Sequence, residues 1–200
     1  LPPPSLQAAQ NDKSLIEVLM EVSGNFSWTR GALDATGWTS WLAGLPYDHT
    51  TQLSDGTQVL LVHSQPQTDE GRGLNPSISD DELAEALADV DARLVCVGHF
   101  HMPMYRCVDD KQVINPGSVS NSFYGDMRAH YAMLHASETG HDIRFHAVSY
   151  DIEAAFEHIR QTNNIGNGYN IRILSGDVNP SWLKAWDGTS HFPTIEPELT

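Results

Sequence analysis

Apolar residues recur at helical spacing at Leu15, Ile16, Val18, Leu19 and Val22, which predicts a first helix near residues 14 to 22. The prolines at 2 to 4 and the polar stretch to Lys13 read as an extended lead-in. A second helical stretch is expected at Thr39 to Leu45, ended by Pro46, with Trp28, Trp38 and Trp41 packing it against the body of the domain. At Val59 to Val62 the pattern becomes an unbroken apolar run, as in a strand buried on both faces, and it stops at His63. Gly71, Gly73, Asn75 and Pro76 mark a loop. Ser79 with Glu82 three residues later then forms a capping box for a helix running to about Val90.

A second buried strand is predicted at Arg93 to Val97, and it too leads into histidine, in the run Gly98-His99-Phe100-His101. Met104 to Val108 and Gln112 to Ile114 read as a hairpin, followed directly by a turn at Asn115-Pro116-Gly117-Ser118. Ala129 to His135 and Ile143 to Tyr150 predict a second hairpin with one wet face, after which Asp151 caps a last helix to about Gln161. Strands alternating with helices place the chain in the α/β class. Residues 1–174 are expected to lie in one domain, with 175–200, which carry Trp182 and Trp186, as an irregular extension.

Composition narrows the function classes. The chain has 200 residues, 40% apolar and 18% charged, as a folded globular protein has. Its 26 acidic and 11 basic residues leave a net charge of −15, so its surface repels nucleic acid and anionic lipid. Binding a polyanion requires a local positive centre, which bound metal ions would supply. Cys96 and Cys107 read as two buried thiols in a reducing, cytoplasmic compartment. No apolar run approaches the roughly 20 residues of a membrane span, and nothing resembles a signal peptide. The absence of an initiator Met before Leu1 fits a processed, truncated or partly recorded chain.

Of ten histidines, His49, His130, His135, His141, His146, His158 and His191 read as surface or satisfied core positions. His99 and His101 differ, because residues two apart in extended chain project to one side. An H-x-H pair is common by chance, but this one follows a buried strand, and His63 ends another. Sites in open α/β sheets collect beyond the carboxyl ends of strands. Gly98 would permit close backbone approach there. Three imidazoles converging on a metal is the chemical expectation, and imidazole suits Zn, Fe and Ni without fixing the metal.

The runs Leu60-Leu61-Val62-His63, Gly98-His99-Phe100-His101 and Asn115-Pro116-Gly117-Ser118, in that order, resemble the calcineurin-like metallophosphoesterases. Gly98-His99-Phe100-His101 resembles the family's G-H-T-H, with Phe100 at the usual Thr, and Asn115-Pro116-Gly117-Ser118 resembles the N-P-G-S turn of its small bacterial and archaeal phosphodiesterase branch. Trp28-Thr29-Arg30 through Leu42, Leu45 and Pro46 also resemble that branch, so the likeness covers about Phe26 to Ile159. It implies an αββα sandwich and a two-metal site hydrolysing a small phosphorylated substrate. His63 and His99 would hold one ion and His101 the other. Mn is the expected metal, with Fe, Zn or Ni as alternatives, and Asn115, Gly117 and Ser118 form the turn beside the site.

The family's upstream D-x-H, G-D and G-N-H-[D/E] motifs are missing. Gly24-Asn25-Phe26-Ser27 has Phe where the family's catalytic His belongs, and Gly125-Asp126 and Gly176-Asp177 fall out of order. No catalytic residue is therefore assigned. The N-terminal part of the sheet, with its carboxylate ligands, is expected in a preceding segment of the same domain, the alternatives being a separate chain or a remnant without catalysis. Three neutral imidazoles offset none of the charge of two divalent ions, so weak, pH-dependent metal binding is expected. Unpaired edges on the two histidine-bearing strands are expected too. Metal-dependent phosphoester hydrolysis is the leading function, with an inactive scaffold or binding module, or a mononuclear zinc site, as alternatives. The loop from Gln65 to Asn75 is the candidate substrate-facing element.

Overall fold

Ser5 starts the chain's first helix, its Oγ accepting from the Ala8 amide at 3.0 Å. In the computed structural model, which describes residues 5–121, 125–176 and 191–196, helix α1 spans Leu6–Asn11 where extended chain was expected. The run of Gln and Ala behind that cap favours helix. Helix α2 spans Leu15–Thr36, well past the predicted end at 22: it runs through Gly24 and Gly31, meets no proline, and stops at Gly37, whose φ of 78° forms the C-cap. Helix α3 spans Thr39–Ala43.

The described residues form two compact units, one of 5–45 with 151–176, the other of the remainder. The first unit is helical. It adds α4, Ile152–Gln161, capped by Asp151 as predicted, and α5, Asn167–Leu174, a helix that the sequence pattern did not announce. Asn25 on α2 accepts from Asn164 at 2.6 Å and exchanges hydrogen bonds with Asn170. The Gly24-Asn25 run is thus committed to helix packing. Trp28, Trp38 and Trp41 are not core: they are 43%, 55% and 58% exposed, because α2 buries only Val22 and α3 buries no residue.

The second unit carries the site. Strand β1, Asp48–Gln52, pairs antiparallel with β2, Gln58–Val62, and helix α6, Asp80–Ala86, follows. The capping box is present, with Ser79 N donating to Glu82 at 2.8 Å and Glu82 N to Ser79 Oγ at 3.2 Å. Strand β3, Leu94–Cys96, runs parallel to β2, and the hairpin β4, Pro103–Val108, and β5, Lys111–Pro116, completes a sheet of order β1-β2-β3-β5-β4. A second sheet holds β6, Ala129–Ser137, β7, Gly140–Val148, and β8, Ile195–Glu196.

Both histidine-bearing strands therefore lie inside the sheet, paired on each side, and the expected open edges are absent from them. The edges are β1 and β4 instead, and the five exposed polar residues of β1 suit that place. Leu60, Val62, Val95 and Val113 face α6, burying Leu74, Leu83 and Leu87 completely or nearly so. Each such leucine contributes about 1.5–3 kcal/mol by leaving water. Val59, Leu94 and Ile114 pack against Phe145 of the second sheet, while Leu61 stays 41% exposed, so β2 is not buried on both faces throughout.

Within residues 175–200, Ile195–Glu196 pair with β7 and extend the second sheet. Trp182 and Trp186 lie outside the described residues. Cys96 is partly buried, which pushes its thiol up to about 11, whereas Cys107 is exposed on β4 rather than buried. Among the described residues no helix is long and apolar enough to cross a membrane.

Candidate metal centre

Strands β2, β3 and β5 are mutually parallel, so their carboxyl ends share one edge of the sheet. Leu61 is level with Cys96, and Cys96 with Ile114. Two residues on, the Gly98 amide donates to the His63 carbonyl at 2.8 Å. That register delivers His63, the His99 loop and Asn115 to one place, as the strand-end argument anticipates.

His63 Nε2 and His99 Nδ1 stand 3.3 Å apart, with ring planes at 81°. His99 Nε2 lies 3.0 Å from the Gly71 carbonyl. A carbonyl only accepts, so Nε2 of His99 carries the hydrogen and its Nδ1 presents a lone pair, to which His63 Nε2 donates. Two imidazole nitrogens bound at about 2.0–2.1 Å to one ion in roughly tetrahedral geometry are separated by about 3.3 Å. The pair thus has the spacing of two ligands on a single metal. His101 is half-buried, and burial holds its pKa below the usual histidine value, opposed by a hydrogen bond with the Asn121 backbone. Among the described residues no three His, Cys, Asp or Glu side chains converge as a metal-binding group. His63 and His99 are brought together, and with His101 they do not form a three-ligand group.

The loop after β2 is anchored rather than loose. Ser64 Oγ donates to the Glu70 carbonyl at 3.1 Å, and Leu74 N donates to Ser64 O at 2.9 Å. Asn75 is buried and uses both amide groups locally, donating to Gly73 O at 3.1 Å and accepting from Ser77 N at 2.9 Å. Gly73 has φ +60°, and a Cβ there would lie 2.6 Å from Ser64 Oγ. Gly98 is different: a Cβ would sit 3.6 Å from His63 O, an ordinary contact, so close approach does not require that glycine.

Asn115 and Pro116 are the last residues of β5, so the turn begins only at Gly117, with φ +92°. The strand keeps Asn115 because its backbone still pairs with Met104. Its buried carboxamide donates to Gly98 O at 2.7 Å and Phe100 O at 2.8 Å, and accepts from Gly117 N at 2.9 Å. Ser118 O accepts from His130 N at 3.0 Å, fastening β6 to this turn. His130 is buried with Nε2 3.3 Å from Asp126, whose carboxyl is held below its usual pKa first by Arg128. The sequence offered no signal for the Gly71 carbonyl, because any residue supplies that oxygen.

Residues 8–139 match the Calcineurin-like phosphoesterase superfamily domain. The chain belongs to that superfamily. The match begins well upstream of Phe26, so α1 and α2 are part of the likeness. No curated protein matches. Among solved structures, a hypothetical protein of Pyrococcus horikoshii OT3 is 18% identical with a TM-score of 0.61, over 72% of this chain and 56% of that one. A metallophosphoesterase from Sphaerobacter thermophilus is 22% identical with a TM-score of 0.56, over 70% and 60%. The fold is a mixed α/β architecture of metallophosphoesterase type. The chain spans less than two thirds of the length of these relatives.

Proposed function

We propose that this member of the superfamily carries the histidine side of a metal centre that hydrolyses phosphoesters. One observation supports this above others: His63 Nε2 and His99 Nδ1 face each other at 3.3 Å beyond the ends of adjacent parallel strands. Their spacing suits one divalent ion, Mn by family likeness, with Fe, Zn or Ni as alternatives. His101 is assigned to a second ion, and the carboxylate ligands to a segment of the same domain outside the residues described. Divalent ions bound there would neutralise phosphoryl oxygens and lower the pKa of a bound water.

The chain's own residues do the positioning. The Gly71 carbonyl fixes the His99 ring, and the anchored loop from Gln65 to Asn75 stands beside it as the element facing a small phosphorylated substrate. The free Cys96 and Cys107 favour a reducing, cytoplasmic setting. Hydrolysis of a bis-aryl phosphodiester with Mn, lost in His63→Ala and His99→Ala, is the expected result; activity unaffected by either change sinks the assignment. The alternative, a metal-free scaffold, draws on the absence of a third converging ligand among the described residues. Elemental analysis of the purified protein separates the two.

A further inference from the structure

His99 occupies an unusual piece of backbone. Its φ is 59°, and the Phe100 amide donates to the Gly98 carbonyl at 2.5 Å, closing a three-residue γ-turn around it. A γ-turn without positive φ, the common inverse kind, follows around His101, with Met102 N donating to Phe100 O at 2.5 Å. Left-handed γ-turns are rare and strained, and a non-glycine residue there costs of order 1–3 kcal/mol unless its surroundings hold it. Gly98 O and Phe100 O, the carbonyls on either side of His99, point at one nitrogen, Asn115 Nδ2.

We propose that Asn115 is the positioning residue of this histidine loop, a carboxamide that holds His99 in its strained turn with Nδ1 aimed at His63. The proposal rests on the assignment of the His63–His99 pair as a metal site. Both Nδ2 hydrogens are spent on the two carbonyls and Oδ1 is spent on the Gly117 amide, so nothing of the side chain is left to serve the sheet. The register explains why this residue does it. Asn115 lies one place beyond Ile114, which pairs with Cys96, so its side chain stands level with the end of β3. The site thus draws on all three parallel strands, although β5 contributes no ligand. Without the donors, two carbonyl oxygens converge on an apolar or repelling neighbour, and the turn relaxes toward right-handed φ, carrying the imidazole away from His63.

The test compares the wild-type chain with Asn115→Ala, checking the fold by far-UV circular dichroism and titrating Co2+ by its visible absorption. Groups that orient metal ligands contribute about 10–100-fold in affinity, so Asn115→Ala is expected to bind Co2+ at least tenfold more weakly, with an altered spectrum. In metal-free protein its His99 nitrogen shifts should also lose the pattern of a fixed Nε2–H tautomer. A folded Asn115→Ala chain with wild-type affinity, spectrum and His99 shifts overturns the proposal. Should that variant fail to fold, Asn115→Ser, which keeps one donor, and Asn115→Asp, which keeps the shape, carry the same measurements. Failure of all three to fold assigns Asn115 to the sheet and overturns the proposal as well. If the wild-type chain binds no Co2+, the metal assignment fails, and the metal-free His99 shifts alone decide whether Asn115 positions the loop.

Discussion

His99 is held from both sides, by the Gly71 carbonyl at 3.0 Å from Nε2 and by His63 at 3.3 Å from Nδ1. With both rings neutral, the first contact assigns His99 the Nε2–H tautomer, and the second then places the hydrogen of His63 on Nε2. On the proposed assignment, metal uptake must move the proton of His63 and leave that of His99 where it is. Long-range proton–nitrogen spectra should show His99 as the Nε2–H form with and without Zn2+, and His63 changing from Nε2–H to Nδ1–H as Zn2+ is added. An Nδ1–H signal for His99 in the metal-free protein contradicts the arrangement.

The left-handed φ of His99 predicts an ordering of variants. Alanine and glycine at 99 both lose the imidazole, but only alanine keeps a Cβ in that conformation. His99→Gly should be more stable than His99→Ala by about 1 kcal/mol, the reverse of the usual order. Chemical denaturation of the two measures this, and equal stabilities would mean that the turn relaxes freely.

Gly71 and Gly73 offer a second comparison. Both have positive φ, but a Cβ at Gly71 meets nothing within 4 Å, whereas at Gly73 it meets Ser64 Oγ at 2.6 Å and Ser64 O at 3.0 Å. Gly71→Ala should cost about 1 kcal/mol of backbone strain. Gly73→Ala adds a clash with Ser64 Oγ and a tight contact with Ser64 O, and should cost about 2–4 kcal/mol. Since the same loop carries the Gly71 carbonyl, Gly73→Ala should also disturb the His99 ring signals.

At the opposite end of the sheet Asp55 accepts from His141 Nδ1 at 2.7 Å and from the Thr57 amide at 2.8 Å. These contacts, the histidine first, lower its pKa from 3.8 to about 2. A carboxyl depressed in the folded state stabilises fully above its unfolded pKa and loses that contribution as pH falls through the folded one. The Asp55 contribution is therefore present above about pH 4 and disappears toward pH 2. Thermal melts of wild type and Asp55→Asn should differ above pH 4 and converge near pH 2, and a gap that stays constant to pH 2 excludes this role.

The strands leading to His63 and His99 were legible because four consecutive apolar residues, closed by His63 in one and by Gly98 in the other, leave few alternatives. The Ser79 and Glu82 capping box was legible because it is local. Strand β1 was not, because Asp48 through Gln52 are polar on both faces and signal an edge only once β2 is known beside them. The three tryptophans misled because size and apolarity suggest core, while burial depends on what packs above them. Asn115 was read as a turn residue from Pro116 and Gly117 following it; its reach to Gly98 and Phe100 depends on a parallel pairing that no local pattern reveals.

The parallel pairing of β2 with β3 also sets the order in which the molecule can assemble. The hairpins β1–β2, β4–β5 and β6–β7 close over short connections and form on the scale of about 1–10 μs. The contact between His63 and His99 spans 36 residues and must wait for the loop, α6 and the parallel ladder to come together. Loop closure at that separation gains nothing until the ladder forms, so it belongs to the late, slow part of folding. A newly made chain consequently has its helices and hairpins before it has His63 and His99 side by side, so on the proposed assignment metal capture would report that folding is complete.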